Sequence, residues 1–108
     1  MPRKATHYLR NARREAALTQ ADIAALLAAP WKSRVSRYEQ RRALPSLETA
    51  LVYETVTGRP ISELFAPMHR DVTAKVRTRA RHLLQEGQTP NTLLRLKRKR
   101  SLERIAAQ

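Results

Sequence analysis

The stretch Lys32-Ser33-Arg34-Val35-Ser36-Arg37-Tyr38 gathers three cations and two serine hydroxyls into a few residues. With no activating base among them, side chains of this kind are suited to holding anions. A guanidinium presents a planar fork of N–H donors that matches a phosphate, or the O6 and N7 edge of guanine. Lys and Ser reach phosphates or base edges. If the segment is helical, Val35 and Tyr38, three apart, share the inward face. Lys32, Ser33, Arg34, Ser36 and Arg37 are then left outside. The chemistry implied is the docking of a cationic helix against a polyanion.

Composition points the same way. Among 108 residues, Lys and Arg number 22 against 9 Asp and Glu, giving a net charge of +13 with neutral histidines. Such an imbalance raises self-repulsion and is expected where the partner is nucleic acid, with an anionic membrane surface second. There is no cysteine, which excludes disulfides and cysteine-ligated zinc or iron–sulfur sites and agrees with a reducing cytoplasm. No apolar run is long enough to span a membrane, and the basic start MPRKATHYLRNARRE has no apolar segment of a secretory signal behind it. His7, His69 and His82 lack metal-ligand spacing and read as surface or interface residues. Neither a nucleophile–base–orienter set nor a glycine-rich phosphate loop is present, so the expectation is a non-enzyme needing no cofactor and no small-molecule ligand.

Helices must position these groups. Only two glycines occur and β-branched alternation is rare, so the fold class expected is all-α. A first helix over Thr6 to Ala17 would set Leu9, Ala12 and Ala16 on one face, with Arg10, Arg13 and Arg14 around it. Thr19 and Asp22 then open a second helix with the apolar stripe Ile23, Leu26 and Leu27, which Pro30 blocks. The cationic helix runs from Lys32 to Gln40. Ser46 caps a fourth, Leu47 to Thr57, burying Leu47, Ala50 and Leu51 and stopping at Gly58. A short fifth, ISELF, is closed by Pro67. Tyr38 and Tyr53 read as core residues with solvated hydroxyls, and Trp31 as packing over the turn.

Residues 1–66 carry 11 basic and 6 acidic side chains, and residues 67–108 carry 11 and 3, so the excess is +5 and then +8. Val72, Val76, Ala80, Leu83 and Leu84 recur at helical spacing and predict a sixth helix, Asp71 to Glu86, ended by Gly87. Beyond Thr89-Pro90, the run Lys97-Arg98-Lys99-Arg100 is either a helix on an anion or disordered.

The separated elements LTQADIAALL, SRVSRYEQ, LPSLETAL and ISELF resemble the XRE family of phage-repressor-like helix-turn-helix proteins over about residues 6–66. The resemblance implies a compact five-helix helix-turn-helix bundle, followed here by a basic C-terminal helical extension over residues 67–108. It implies that the third helix docks in the major groove of double-stranded DNA, with Ala24 as the small residue between the second and third helices. Arg34 would read a base, with Lys32 or Ser33 as the alternatives that an extra turn residue leaves open, and Arg37 would grip the backbone. Gln20, at the start of the second helix, would contact a phosphate, and Arg41 and Arg42 would add charge beside it. The resemblance also implies that Glu39 pairs with Arg13. The sequence departs from the family at Ala28, where a turn glycine is usual, at about one extra turn residue, and at Arg41, where glycine often follows the recognition helix. The second helix could therefore run longer.

The function so implied is a cytoplasmic, nucleoid-associated transcriptional regulator acting as a homodimer. A basic architectural or RNA-binding module, and an antitoxin or conjugation accessory factor, are the alternatives.

Overall fold

The computed structural model describes residues 7–28, 32–86 and 92–108. Among these the secondary structure is helical: α1 (Leu9–Glu15), α2 (Gln20–Leu26), α3 (Lys32–Glu39), α4 (Leu47–Thr57), α5 (Ile61–Leu64), α6 (Ala66–Glu86) and α7 (Leu93–Ala106). The expectations at Thr6, Pro30, Trp31, Gly87 and Thr89-Pro90 fall outside the described residues. The chain divides into two compact units, residues 1–68 and 69–108.

In the first unit α3 packs against α2 and α1, α1 also against α4, and α4 against α5. Leu9, Ala12, Ile23, Ala24, Val35, Tyr38, Ala50, Tyr53, Leu64 and Phe65 form the core, with Leu18, Leu27, Val56, Ile61 and Met68 against it. Fully burying a Leu, Ile or Val contributes roughly 1.5–3 kcal/mol, so Leu9, Ile23, Val35 and Leu64 carry much of the stability. Ala24 is buried on α2, leaving room for the neighbouring helix to approach.

Several sequence expectations are corrected here. Ala16 lies beyond α1 and is exposed. Leu26 is exposed, and on α4 Leu47 is 71% and Leu51 46% exposed, while Tyr53 takes the core position. The apolar residues of α4 surround the helix, and the side bearing the large Tyr53 ring wins because it removes most area from water. The Tyr53 hydroxyl is buried without a hydrogen-bond partner rather than solvated. Pro67 does not close α5 but sits in the first turn of α6, where the missing N–H would have no partner within the helix. His7 is 2% exposed, edge-on to Phe65 with ring centres 5.6 Å apart, not at the surface.

The caps carry the chain through its turns. Thr19 and Asp22 form a reciprocal capping box, with Thr19 Oγ1 accepting from the Asp22 N–H at 3.0 Å and Asp22 Oδ2 accepting from the Thr19 N–H at 2.9 Å. Ser46 caps α4, and Gly58 ends it in the left-handed conformation. Three other left-handed positions hold Ala17, Ala28 and Arg41 in place of glycine. After α1 the Leu18 N–H donates to the Arg13 carbonyl at 3.1 Å and the Ala17 N–H to that of Arg14 at 3.0 Å. After α3 the Arg42 N–H reaches Arg37 at 2.9 Å and the Arg41 N–H reaches Tyr38 at 3.0 Å. These are Schellman caps, and they offset a left-handed conformation that costs about 1–2 kcal/mol for a residue with a Cβ. Because Ala28 turns left-handed, α2 stops at Leu26 and does not run on.

In the second unit Ala80 is buried and Val72, Val76 and Leu83 are exposed. The segment left open between helix and disorder forms α7, with Thr92 Oγ1 accepting from the Arg95 N–H at 3.2 Å. The Arg81 guanidinium of α6 lies 3.5 Å from the Ala106 carbonyl at the end of α7. No described helix is long and apolar enough to cross a membrane.

Candidate nucleic acid interface

A helix can read a partner only if its own orientation is fixed. Val35 and Tyr38 bury one side of α3, and Glu39 joins them at the helix end with a side chain 0% exposed. Burying a carboxylate would raise its pKa, but here that tendency is outweighed. Hydrogen bonds from Arg13, Gln20 and Arg10, and the Arg13 charge, hold Glu39 below the ordinary carboxylate value.

The donors converge from two helices. Arg13 Nε donates to Glu39 Oε2 at 2.6 Å and Arg13 Nη2 to Oε1 at 3.0 Å, a bidentate pair. Arg10 Nε and Gln20 Nε2 both reach Oε1 at 3.3 Å. The third Arg13 nitrogen, Nη1, donates to the Leu18 carbonyl at 2.9 Å, beside the left-handed Ala17. One guanidinium therefore joins α1, the α1–α2 turn and α3. The sequence pointed to Arg13 and Glu39 only through the resemblance. Arg10 and Gln20 as further donors were missed, although Arg10 lies three residues before Arg13 on the same helical face.

With that side locked, Lys32, Ser33, Arg34 and Arg37 are exposed along α3, and Ser36 is half-buried. Ser36 Oγ accepts from the Gln40 amide at 3.1 Å, so this hydroxyl is engaged within the chain. Arg42 is exposed and Arg41 half-buried in the turn after α3. Gln20 spends one amide hydrogen on Glu39 and retains a second, together with its oxygen. The Lys97 to Arg100 run is exposed on α7.

The class these observations define is an all-helical, strongly basic protein with a rigidly seated, cation-faced helix. Comparison with protein-family models, curated proteins and solved structures finds no match for the chain.

Proposed function

We propose that this chain is a sequence-specific double-stranded DNA-binding transcriptional regulator of the XRE type. In this reading α1–α5 form the helix-turn-helix bundle, α6 and α7 form the basic extension, and α3 enters the major groove. The observation that carries it is the pairing of a locked inner face (Val35, Tyr38, Glu39) with an outer face of Lys32, Ser33, Arg34 and Arg37. A helix held this way can set guanidiniums against base edges with one register, which a loosely seated basic helix cannot do. Arg34, near the α3 N-terminus, reads a base. Arg37, one turn on, grips the backbone, and Arg41, Arg42 and the spare Gln20 amide hydrogen meet phosphates. One such module contacts few base pairs, so the working form is a homodimer, and the exposed Val72 and Val76 of α6 offer apolar area for it. The setting is the cytoplasm, on the nucleoid.

Selection by the purified chain from a randomised pool of DNA duplexes tests this. A sharp consensus supports it. Uniform recovery at all positions overturns it in favour of an architectural or RNA-binding module, a reading favoured by the exposed Lys97, Arg98, Lys99 and Arg100.

A further inference from the structure

Away from the outer face of α3, a cavity of about 300 Å³ opens between the start of α1 and the end of α3. Its walls include His7, Arg10, Asn11, Arg14, Glu39 and Arg41. Three guanidiniums thus face one carboxylate, and that carboxylate is already engaged by Arg13, Arg10 and Gln20. Arg14 is exposed and makes no side-chain hydrogen bond or ion pair among the described residues. Arg10 spends only its Nε on Glu39, and its side chain is 46% exposed. On the same wall the His7 imidazole is buried, and its Nε2 makes no hydrogen bond. The cavity therefore combines excess positive charge, unspent N–H donors and a buried ring nitrogen without a partner.

We propose that this cavity is an oxyanion pocket that takes a phosphate group, held by Arg14 and the outer nitrogens of Arg10, with Arg41 and His7 completing the wall. Planar guanidiniums suit a phosphate because each offers two parallel N–H donors. The room is ample for one phosphate. Two sources share this chemistry, a phosphodiester of the DNA backbone and a free phosphate. The first rests on the DNA-binding reading and the second does not.

His7 is the built-in reporter. Burial, and next the Arg41 charge, hold its pKa below the ordinary value, opposed by backbone groups of Tyr38 and His7 and by the Glu39 charge. Among the described residues, the charged groups around it are Arg10 and Arg14 of α1, Glu39 at the end of α3 and Arg41 beyond it, with Phe65 supplying an uncharged edge. A phosphate among them adds negative charge to a wall where three guanidiniums outnumber the one carboxylate, so its arrival favours protonated His7.

The test follows the His7 imidazole resonances by NMR in the full-length chain during titration with inorganic phosphate, against chloride of equal ionic strength. A second titration uses a short DNA duplex. The expected result is a saturable His7 shift, with uptake of a proton, from at least one probe. Arg14→Ala should weaken it by roughly tenfold, the loss of one charge-assisted contact, while Arg34→Ala leaves the phosphate response in place. If duplex DNA abolishes the response to free phosphate, the source is the DNA backbone. If both probes bind together, the source is free phosphate. Absence of a His7 shift with either probe overturns the pocket, as does a shift that Arg14→Ala leaves unchanged. The reading of α3 can fail independently, because a phosphate response does not require sequence-specific binding.

Discussion

Replacing Glu39 by Ala perturbs one carboxylate and three donors at once. The Arg13 side chain is only 11% exposed and gives two of its N–H groups to Glu39. Without the carboxylate a guanidinium stays largely buried and unpaired, which costs about 3–5 kcal/mol. Arg10 and Gln20 lose weaker contacts and recover part of them from water. A folded chain of this length holds roughly 5–15 kcal/mol in all, so about a fifth or more of the stability rests on this carboxylate. With a urea dependence of about 1.5 kcal/mol per molar, the midpoint followed by far-ultraviolet circular dichroism should fall by about 2–3 M. Glu39→Gln, which keeps the shape and one acceptor, should lose less. The double replacement Arg13→Met with Glu39→Leu should recover much of the loss, because no buried charge is left behind. A shift below about 1 kcal/mol for Glu39→Ala refutes the reasoning, since breaking a buried pair must cost more than an exposed one. So does a double variant as unstable as the single one.

Ala28→Gly should raise the stability by up to about 1 kcal/mol, because the left-handed strain at Ala28 outweighs the added freedom of the unfolded chain; a lower urea midpoint contradicts the strain. Tyr53→Phe removes a buried hydroxyl that lacks a hydrogen-bond partner and should leave stability unchanged or raise it by about 1 kcal/mol in the same assay. Acidification should destabilise in two windows, because His7 and Glu39 both have folded pKa values below their ordinary ones. The His7 contribution is full above the ordinary value of 6.5 and fades as pH falls below it, and the Glu39 contribution is full above 4.5 and fades below that. Urea midpoints measured across pH should therefore drop in two steps, and His7→Phe should flatten the upper one. Arg34→Ala should cost about 1–3 kcal/mol at the selected DNA site and relax preference at one base pair, while Arg37→Ala weakens every sequence alike; an unchanged preference profile for Arg34→Ala sinks the assignment.

Where the sequence offered a cap or one clearly apolar face, it was legible. Thr19 with Asp22, Ser46 and Gly58 marked helix ends by local chemistry, and Val35 with Tyr38 fixed the buried side of α3. Periodicity failed on α4, where apolar residues lie all round and any phase satisfies the pattern, so Leu47 was placed inside and Tyr53's hydroxyl in water. It failed again at Leu26, because a seven-residue helix offers only two turns from which to read a stripe. Pro67 misled because proline marks the entry to a helix as readily as its exit. Nothing local to His7 signals burial, which comes from Phe65 about sixty residues away. Of the groups meeting at Glu39, only Arg13 came through the resemblance. The meeting of Arg10 and Gln20 there depends on how α1 and α2 close on α3, a long-range property that spacing along the chain does not carry.

The convergence on Glu39 also constrains the order of assembly. Its donors lie 19 to 29 residues earlier in the chain, so the carboxylate is satisfied only once α1, α2 and α3 have all docked. Until then, α3 is eight residues carrying three cations, too short to persist as an isolated helix in water. The cationic face therefore exists as a surface only within a cooperative unit that includes α1. Fraying of α1 and melting of α3 become one event, and the slowest-exchanging amides of the two helices should share a single opening free energy.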